Sequence, residues 1–454
     1  MVKWAEAQPV IRSIMLAPPS VYETCARLFE PGSDAPDPGA AGQAVEEARR
    51  LLAAFGIAPD GSAEDGRTAR LFRLAATLEA SFAVPAMDYP GLTVLGARLP
   101  QGLPAPDGAA IAVDGVIGCD PDPWRAFQKC IGEAAETLAL AAPGIGTADR
   151  DGSAAEIAAR FDGQIAARTG LDSAAALDAA PVLAGTELAT GRIVRVPRPL
   201  VFGPSGGKRA AVAVSEGCAA GPTPDDATCA ALFELVERDV VAQWWYGGRP
   251  ARRLPPALLA AAIGRLRPEA PWPREGFALE LDAAGLPVAV VAAISVSPIH
   301  GLVACGFAAR PGRAAALEAA VLEMIQSEIA NDLLVLRLRR AGPDAAPADR
   351  DRLAAKQRLR PEALLATAAE GDAAAEGDRP DGPASLPGLL AALDRRGTVI
   401  FRVGLTARAG IPVVKLLSPD LQASVPAAMT ERLRQTATEF DRPLNGLEDR
   451  PAII

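Results

Sequence analysis

Residues 215–245 read SEGCAAGPTPDDATCAALFELVERDVVAQWW, a segment in which turn, capping and helix signals follow one another. Thr223 is a good N-cap residue and Pro224 suits the first turn, so a helix is expected to begin here. Glu234 and Glu237 lie three residues apart, about 60° from each other on one helix face. Like charges this close are unfavourable unless a cation or hydrogen-bond donors lie between them. The segment therefore predicts a helix that presents two carboxylates to a cation.

The same spacing occurs on two further segments of the chain. The matching residues are Pro123, Ala126, Glu133 and Glu136, then Pro224, Ala227, Glu234 and Glu237, then Arg313, Ala316, Glu323 and Gln326. Asp122 precedes the first copy as a second N-cap residue. The third copy ends in glutamine instead of glutamate. One template on three helices predicts an internal pseudo-repeat of Pro-x2-Ala-x6-Glu-x2-Glu helices that together build a site.

The alternative interpretation is that each glutamate pair is only a solvated helix face, which is the usual role of such pairs. The apolar neighbours of the second pair are Leu232, Phe233, Leu235, Val236, Val240, Val241, Trp244 and Trp245, and those of the first are Ile131, Leu138 and Leu140. Helices with so many apolar residues are expected to be largely buried. Buried acids must be paired, hydrogen-bonded or bound to metal, so the composition of these helices favours a site.

The composition of the chain excludes several classes of protein. Its 454 residues are 50% hydrophobic and 22% charged, which is typical of a globular protein of two domains or one large one. The net charge of −9 and the lack of a dense Lys/Arg run argue against nucleic-acid binding. The lack of a long apolar stretch or signal peptide predicts a cytoplasmic protein without a membrane segment. His300 is the only histidine, which argues against a His-based triad or zinc site. The six cysteines form no C-x-x-C motif and are expected to be reduced.

Strand and helix patterns accompany each other along the chain, which predicts the α+β class. Strands are expected at 92–99, 109–118, 193–202, 210–217, 277–283, 288–296, 302–309, 398–405 and 411–419. Helices are expected at 43–55, 67–82 and 425–438 and in the three template copies, the third extending to about residue 340. Residues 1–88 are interpreted as an N-terminal, mainly helical and loop region, and 89–454 as the main domain. The acidic, low-complexity residues 368–388 are interpreted as an insertion in that domain.

Several of these segments resemble the YcaO family. The resemblance rests on SEGCAAG (215–221), FELVERD (233–239) and the tryptophans at 244–245. GEAAE (132–136) is similar to the family's first E-x-x-E helix, and EMIQ (323–326) resembles its later E-x-x-Q. The resemblance covers about residues 90–340 well and 395–425 loosely.

The resemblance implies a YcaO-like fold of mixed sheets with packed helices and an ATP-binding domain at 89–454. It also implies ATP-dependent modification of a peptide backbone, with Mg²⁺ held against the phosphates by hard oxygen ligands. The implied metal ligands are Glu133, Glu136, Glu234 and Glu237. The implied nucleotide contacts are Asp226, Arg238, Ser215, Glu323 and Gln326. Arg238 suits either of two roles, neutralising phosphate or bracing a glutamate. No residue is indicated as the catalytic base.

Three functions are compatible with the resemblance. The favoured one is a cyclodehydratase that forms thiazoline or oxazoline rings in a ribosomally made precursor peptide, as in bacteriocin biosynthesis. The second is thioamide formation with a TfuA-type partner, which fits the missing P-x-P-x-P tail. The third is a non-catalytic, peptide- or partner-binding scaffold, which fits three departures from the family pattern: GCD at 118–120, Thr137 and Ala319. The expected partners are the precursor peptide and a leader-binding protein, either E1-like or TfuA-type, and a homodimer is possible from the resemblance.

Overall fold

The computed structural model describes most of the chain. The described residues are 14–29, 42–58, 65–86, 88–100, 115–141, 154–203, 214–269, 271–369, 386–406, 409–423, 427–445, 447 and 450–453. The predicted insertion at 368–388 lies outside the described residues except at its two ends.

The helices include all three template segments. They are α1 (Pro19–Leu28), α2 (Gly42–Ala54), α3 (Asp65–Ala76), α4 (Pro123–Ala141), α5 (Ala155–Arg160), α6 (Ile165–Thr169), α7 (Ala174–Asp178), α8 (Arg198–Phe202), α9 (Pro224–Trp245), α10 (Pro256–Leu266), α11 (Arg313–Ala341), α12 (Pro347–Gln357), α13 (Pro361–Leu365), α14 (Leu386–Asp394) and α15 (Glu431–Glu439). The two helices predicted to begin at Pro123 and Pro224 begin there. Proline fits the first turn because it has no N–H for a helix to satisfy.

The strands complete an α+β chain, as predicted. They are β1 (Ile14–Met15), β2 (Ala80–Ala83), β3 (Thr93–Arg98), β4 (Val116–Asp120), β5 (Val182–Glu187), β6 (Ile193–Pro197), β7 (Cys218–Ala220), β8 (Ala251–Arg253), β9 (Glu275–Leu281), β10 (Ala289–Val296), β11 (Val303–Arg310), β12 (Ala368–Ala369), β13 (Phe401–Thr406) and β14 (Pro412–Leu417).

Several predicted elements differ from the structure in their extent. The helix predicted at 425–438 begins at Glu431, and the strand predicted at 398–405 begins at Phe401. The helix predicted at 67–82 ends at Ala76, because Ala80–Ala83 pairs with β3 instead. The strand predicted at 193–202 ends at Pro197, and the prolines at 197 and 199 favour the short helix that follows. The described part of the strand predicted at 210–217 is a turn, in which Gly217 adopts a φ of +69°.

The chain divides into two compact units, and the first contains residues 1–145, 218–227 and 404–414. Its antiparallel sheet has the order β1-β2-β3-β4. Helix α4 approaches β4 very closely, since a Cβ at Gly118 would lie 2.3 Å from the backbone nitrogen of Cys130 and 2.4 Å from the carbonyl oxygen of Ala126. Only glycine permits this approach, which fixes the helix that carries Glu133 and Glu136.

The second unit contains residues 146–217, 228–403 and 415–454. One of its sheets has the order β11-β10-β9-β8-β12, antiparallel except for the parallel pair β8 and β12. Gly306 in β11 permits the close packing of α11, since a Cβ there would lie 2.1 Å from both the Ala320 oxygen and the Met324 nitrogen. In the same unit β5 pairs antiparallel with β6 and with the start of β13. Beneath α11, β10 and β11 are buried along almost their whole length.

A polar network ties the turn between β10 and β11 to α11. His300 Nε2 lies 2.7 Å from an oxygen of Asp332, and the other oxygen of Asp332 accepts from Arg274 at 2.8 Å. Arg274 also pairs with Glu328 at 3.1 Å, and Ser295 donates to Glu328 at 2.5 Å. Arg274, Glu328 and Ser295 are all buried. The only histidine of the chain is therefore anchored to the helix that carries Glu323.

Candidate functional site

In the second unit, α9 places Glu234 and Glu237 on either side of Arg238. The Nε atom of Arg238 lies 3.8 Å from Glu234 Oε1 and 3.9 Å from Glu237 Oε1. Both distances are too long for hydrogen bonds. The Nε and Nη1 atoms of Arg238 are buried and have no hydrogen-bond partner among the described residues. The positive charge of Arg238 thus offsets the two carboxylates, while its Nε and Nη1 donors stay available for hydrogen bonds.

Strand β11 fixes one glutamate from each of two helices. The backbone N–H of Ala309 donates to Glu237 of α9 at 3.3 Å, and that of Phe307 donates to Glu323 of α11 at 2.9 Å. Residues two apart in a strand direct their N–H groups to the same side. The two carboxylates are therefore held beside one edge of the same strand, in one part of the second unit.

The electrostatics of this cluster favour protonated glutamates when no cation is bound. Burial raises the pKa of Glu234 to about 7, with the charges of Arg238 and Lys415 opposing the shift and that of Glu216 adding to it. Burial also raises the pKa of Glu237 and of Glu323, and Arg238 opposes both shifts. The charge of Glu323 raises the pKa of Glu237 further. A bound cation would restore the charged forms of these acids.

The first unit holds the other glutamate pair on α4. The N–H of Ile117 donates to Glu133 at 3.4 Å, and that of Ala220 donates to Glu136 at 2.8 Å. The expectation that the apolar helix buries this pair is wrong for Glu133, which is exposed, and only partly right for Glu136, which is half-buried. The helix directs its apolar residues to the sheet, and Glu133 lies outside that face.

The three template helices share one scheme of carboxylate–backbone contacts. The first glutamate of each copy accepts an N–H from the segment just before its own helix, namely from Ile117, Gly217 and Phe307. The second glutamate of the first two copies accepts an N–H from the residue four positions before the start of the next copy, namely Ala220 and Ala309. The internal pseudo-repeat itself stays a prediction.

The remaining predicted site residues have different surroundings. Asp226 is exposed, and its carboxylate accepts from the Thr223 hydroxyl at 2.7 Å while its N–H donates to that hydroxyl at 3.1 Å. This is an N-terminal helix cap, which gives Asp226 a structural role whether or not it contacts a nucleotide. Ser215 is exposed in the turn before β7, and Gln326 is half-buried on α11.

Lys415 is a site residue that sequence reasoning missed. It is 3% exposed, and its ammonium group donates to the carbonyl oxygens of Val214, at 2.6 Å, and of Glu216. It thus holds the turn whose Gly217 N–H contacts Glu234. A signal was present in the sequence, because a single lysine interrupts the apolar run PVVKLL of β14. A buried lysine in such a run needs polar partners.

Lys129 is a second missed residue, in the first unit. Its ammonium group lies 2.8 Å from Asp120 and donates to the Cys119 carbonyl at 3.1 Å. Lys129 thus places a cationic group beside the GCD segment at 118–120, which departs from the family pattern.

Two absences apply to the described part of the chain. No three His, Cys, Asp or Glu side chains there are grouped closely enough to hold one metal ion by themselves. No described helix combines the length and the apolar character needed to cross a membrane.

Comparison with solved structures shows what this architecture is similar to. A heterocyclase in complex with substrate and cofactor matches with a TM-score of 0.60 at 16% identity, covering 86% of this chain, which spans 57% of that one. A YcaO protein from Methanopyrus kandleri, bound with AMPPCP and Mg²⁺, matches with a TM-score of 0.50 at 19% identity over 83% of this chain and 91% of that one. The E. coli microcin synthetase McbBCD complex with pro-MccB17 bound matches with a TM-score of 0.54 at 13% identity over 75% and 88%. At identities this low, the structural similarity shows a shared fold and nothing more.

The sequence itself matches a family model over residues 167–422, more than half of the chain. That family is described as YcaO cyclodehydratase, ATP- and Mg²⁺-binding. No curated protein matches the chain. The match agrees with the resemblance carried by SEGCAAG and FELVERD. The chain belongs to the YcaO cyclodehydratase family, and ATP and Mg²⁺ are the cofactors that this membership assigns to it.

Proposed function

We propose that the protein is an ATP- and Mg²⁺-dependent cyclodehydratase that forms thiazoline or oxazoline rings in a ribosomally made precursor peptide. The observation that carries the proposal is the cluster of Glu234, Glu237 and Glu323 around Arg238. Three acids with raised pKa values and one arginine with unused donors make a poor structural core. They suit a site that is completed by a cation and an anion together.

The donor set fits Mg²⁺ bound together with phosphates. Mg²⁺ in nucleotide sites is commonly held by one or two carboxylates, with phosphate oxygens and water as its other ligands. A protein that uses Mg²⁺ in this way does not need three acids around one ion, which agrees with the lack of such a group in the described residues. Glu234 and Glu237 would hold the metal in the second unit. The roles of Glu133 and Glu136 as further metal ligands stay part of the proposal.

The unused donors of Arg238 suit a phosphate. A guanidinium group donates charge-assisted hydrogen bonds to phosphate oxygens, and Nε and Nη1 of Arg238, which lie on different edges of the group, would each donate one. Its two long ion pairs hold Arg238 in the cluster without consuming those donors. Asp226, Ser215, Glu323 and Gln326 are proposed as further nucleotide contacts. Bound ATP would supply the phosphoryl group that activates the amide oxygen of the peptide.

Two alternatives remain as competing proposals. Thioamide formation with a TfuA-type partner would use the same nucleotide site, because both reactions begin with ATP-dependent activation of the amide. A non-catalytic scaffold is favoured by the exposure of Glu133 and by the departures from the family pattern at residues 118–120, 137 and 319. The precursor peptide, a leader-binding partner and a homodimer belong to the proposal in each catalytic version.

The nucleotide site is tested by calorimetric titration with Mg·ATP. We expect the wild type to bind and Glu234→Gln to bind at least about tenfold more weakly, because the amide cannot ligate Mg²⁺ as a carboxylate does. Glu318→Gln is the matched control on α11, since Glu318 is exposed and pairs with surface Arg265 at 2.7 Å. Equal binding by all three proteins would contradict the proposed role of Glu234. Absence of binding by the folded wild type would support the scaffold.

The product is tested by mass spectrometry. The protein is incubated with Mg·ATP and a synthetic peptide library that contains Cys, Ser and Thr, with and without sulfide. Ring formation removes one water, about 18 Da, whereas exchange of oxygen for sulfur adds about 16 Da. Glu318→Gln should give the wild-type product and Glu234→Gln should give none. A gain of about 16 Da would replace the cyclodehydratase proposal by thioamide formation.

A further inference from the structure

A cavity of about 380 Å³ in the second unit is lined by Arg358, Arg360, Arg442 and Arg450. Trp245, the last residue of α9, also lines it. No acidic residue is among its described lining residues. The chain as a whole has 55 acidic and 46 basic residues, so four arginines at one cavity go against its average charge.

Arg450 is held in place before any ligand binds. Its Nη1 donates to the carbonyl oxygen of Trp245, and its guanidinium carbon lies 5.1 Å from the centroid of a Trp245 ring. The indole N–H of Trp245 donates to the carbonyl oxygen of Pro451 at 3.0 Å. A cationic group fixed in this way loses little conformational entropy on binding an anion.

The positive charges at the cavity oppose one another. Burial lowers the pKa of Arg450, and the nearby charge of Arg442 lowers it further. Arg360, which also lines the cavity, is the N-cap residue of α13 and is exposed. Like charges brought together in this way are unfavourable by themselves, and an anion between them would stabilise the arrangement.

The other lining residues indicate the kind of molecule to which the bound anionic group belongs. Ala363, Ala366, Pro451 and Trp245 provide apolar walls, which suit a carbon skeleton better than a bare inorganic ion. The volume lies within the range of pockets that bind organic ligands. Guanidinium forks pair with carboxylates through two parallel hydrogen bonds. We propose that this arginine pocket binds the carboxylate side chains of an acidic peptide segment.

The test is fluorescence anisotropy with a labelled peptide that contains four Glu, and with the same peptide carrying Gln in their place, at physiological ionic strength. The variants are Arg360→Gln and the double variant Arg360→Gln/Arg442→Gln. Arg125→Gln, an exposed arginine of the first unit, is the matched control. We expect the Glu peptide to bind and the Gln peptide to bind at least about tenfold more weakly. Each pocket variant should also weaken binding of the Glu peptide at least about tenfold, whereas the control variant should bind it as the wild type does.

Three results would overturn the proposal: equal binding of the Glu and Gln peptides, undiminished binding by Arg360→Gln, or displacement of the Glu peptide by a few millimolar inorganic phosphate. The last would identify a general anion site. Arg360 is exposed, so its variant should fold, and circular dichroism checks that it does. The assay needs neither ATP nor turnover, so its outcome is independent of the cyclodehydratase proposal.

Discussion

At the scale of single residues, Arg238 supplies the positive charge that opposes the carboxylates of its cluster. It is the main opposing charge to the raised pKa values of Glu237 and Glu323. We expect Arg238→Met to abolish detectable Mg·ATP binding, since a phosphate would lose its donors. The same change removes the partner of buried acids, which typically costs about 3–5 kcal/mol. Calorimetry and chemical denaturation measure the two effects, and Arg339→Met, an exposed change on α11, is the control. Unchanged nucleotide affinity would assign Arg238 a purely structural role.

The pKa of Glu234 gives a second prediction at this scale. Its folded-state value, about 7, lies above its ordinary value of 4.5, so the folded protein binds more protons between these limits. Stability without metal should therefore fall as pH rises from about 5 to about 7. Glu234→Gln should flatten this dependence by ~2 °C or more in Tm between pH 5.5 and 7.5. Thermal unfolding in EDTA measures it. The same dependence of Tm on pH in the wild type and in Glu234→Gln would contradict the raised pKa of Glu234.

At the scale of elements, the contact between α11 and β11 depends on Gly306. A methyl group there would meet backbone atoms at 2.1 Å, so the helix must move away from the strand that positions Glu323. Gly306→Ala should destabilise the protein by roughly 1–3 kcal/mol and weaken Mg·ATP binding. Gly264→Ala on α10 is the matched control, since nothing lies within 4 Å of its added Cβ, and it should be neutral or slightly stabilising. Denaturant unfolding measures the stability of both variants. If Gly306→Ala is as stable as Gly264→Ala, the contact between α11 and β11 does not depend on Gly306.

The same elements show what the sequence could and could not reveal. Proline and N-cap signals located the starts of α4 and α9, because those signals act within one turn of chain. The acid spacing indicated one helix face, but it could not show that strand N–H groups hold the acids, since Glu237 and Ala309 are far apart in sequence. Exposure of Glu133 and burial of Lys415 were likewise set by packing between distant segments.

At the scale of the whole molecule, the prediction that the four glutamates of the first two template copies serve one nucleotide can be tested directly. Hydrogen exchange with and without Mg·ATP at about 100 times the dissociation constant should show slower exchange in peptides from both α4 and α9. Bound ligand at that concentration stabilises the native state by about 2.7 kcal/mol. Peptides from α12 serve as the control. Protection confined to α9 would leave Glu133 and Glu136 outside the nucleotide site.

The anchoring of His300 to α11 has a practical consequence. In a chain with one histidine, imidazole NMR spectra contain the signals of a single ring and need no assignment. That ring contacts Asp332, which lies on the same helix as Glu323. A displacement of α11 at Glu323 would therefore change the chemical shifts of a unique resonance near Asp332 on the same helix. The protein thus carries a natural spectroscopic reporter, and titration with Mg·ATP can be followed without introducing a label.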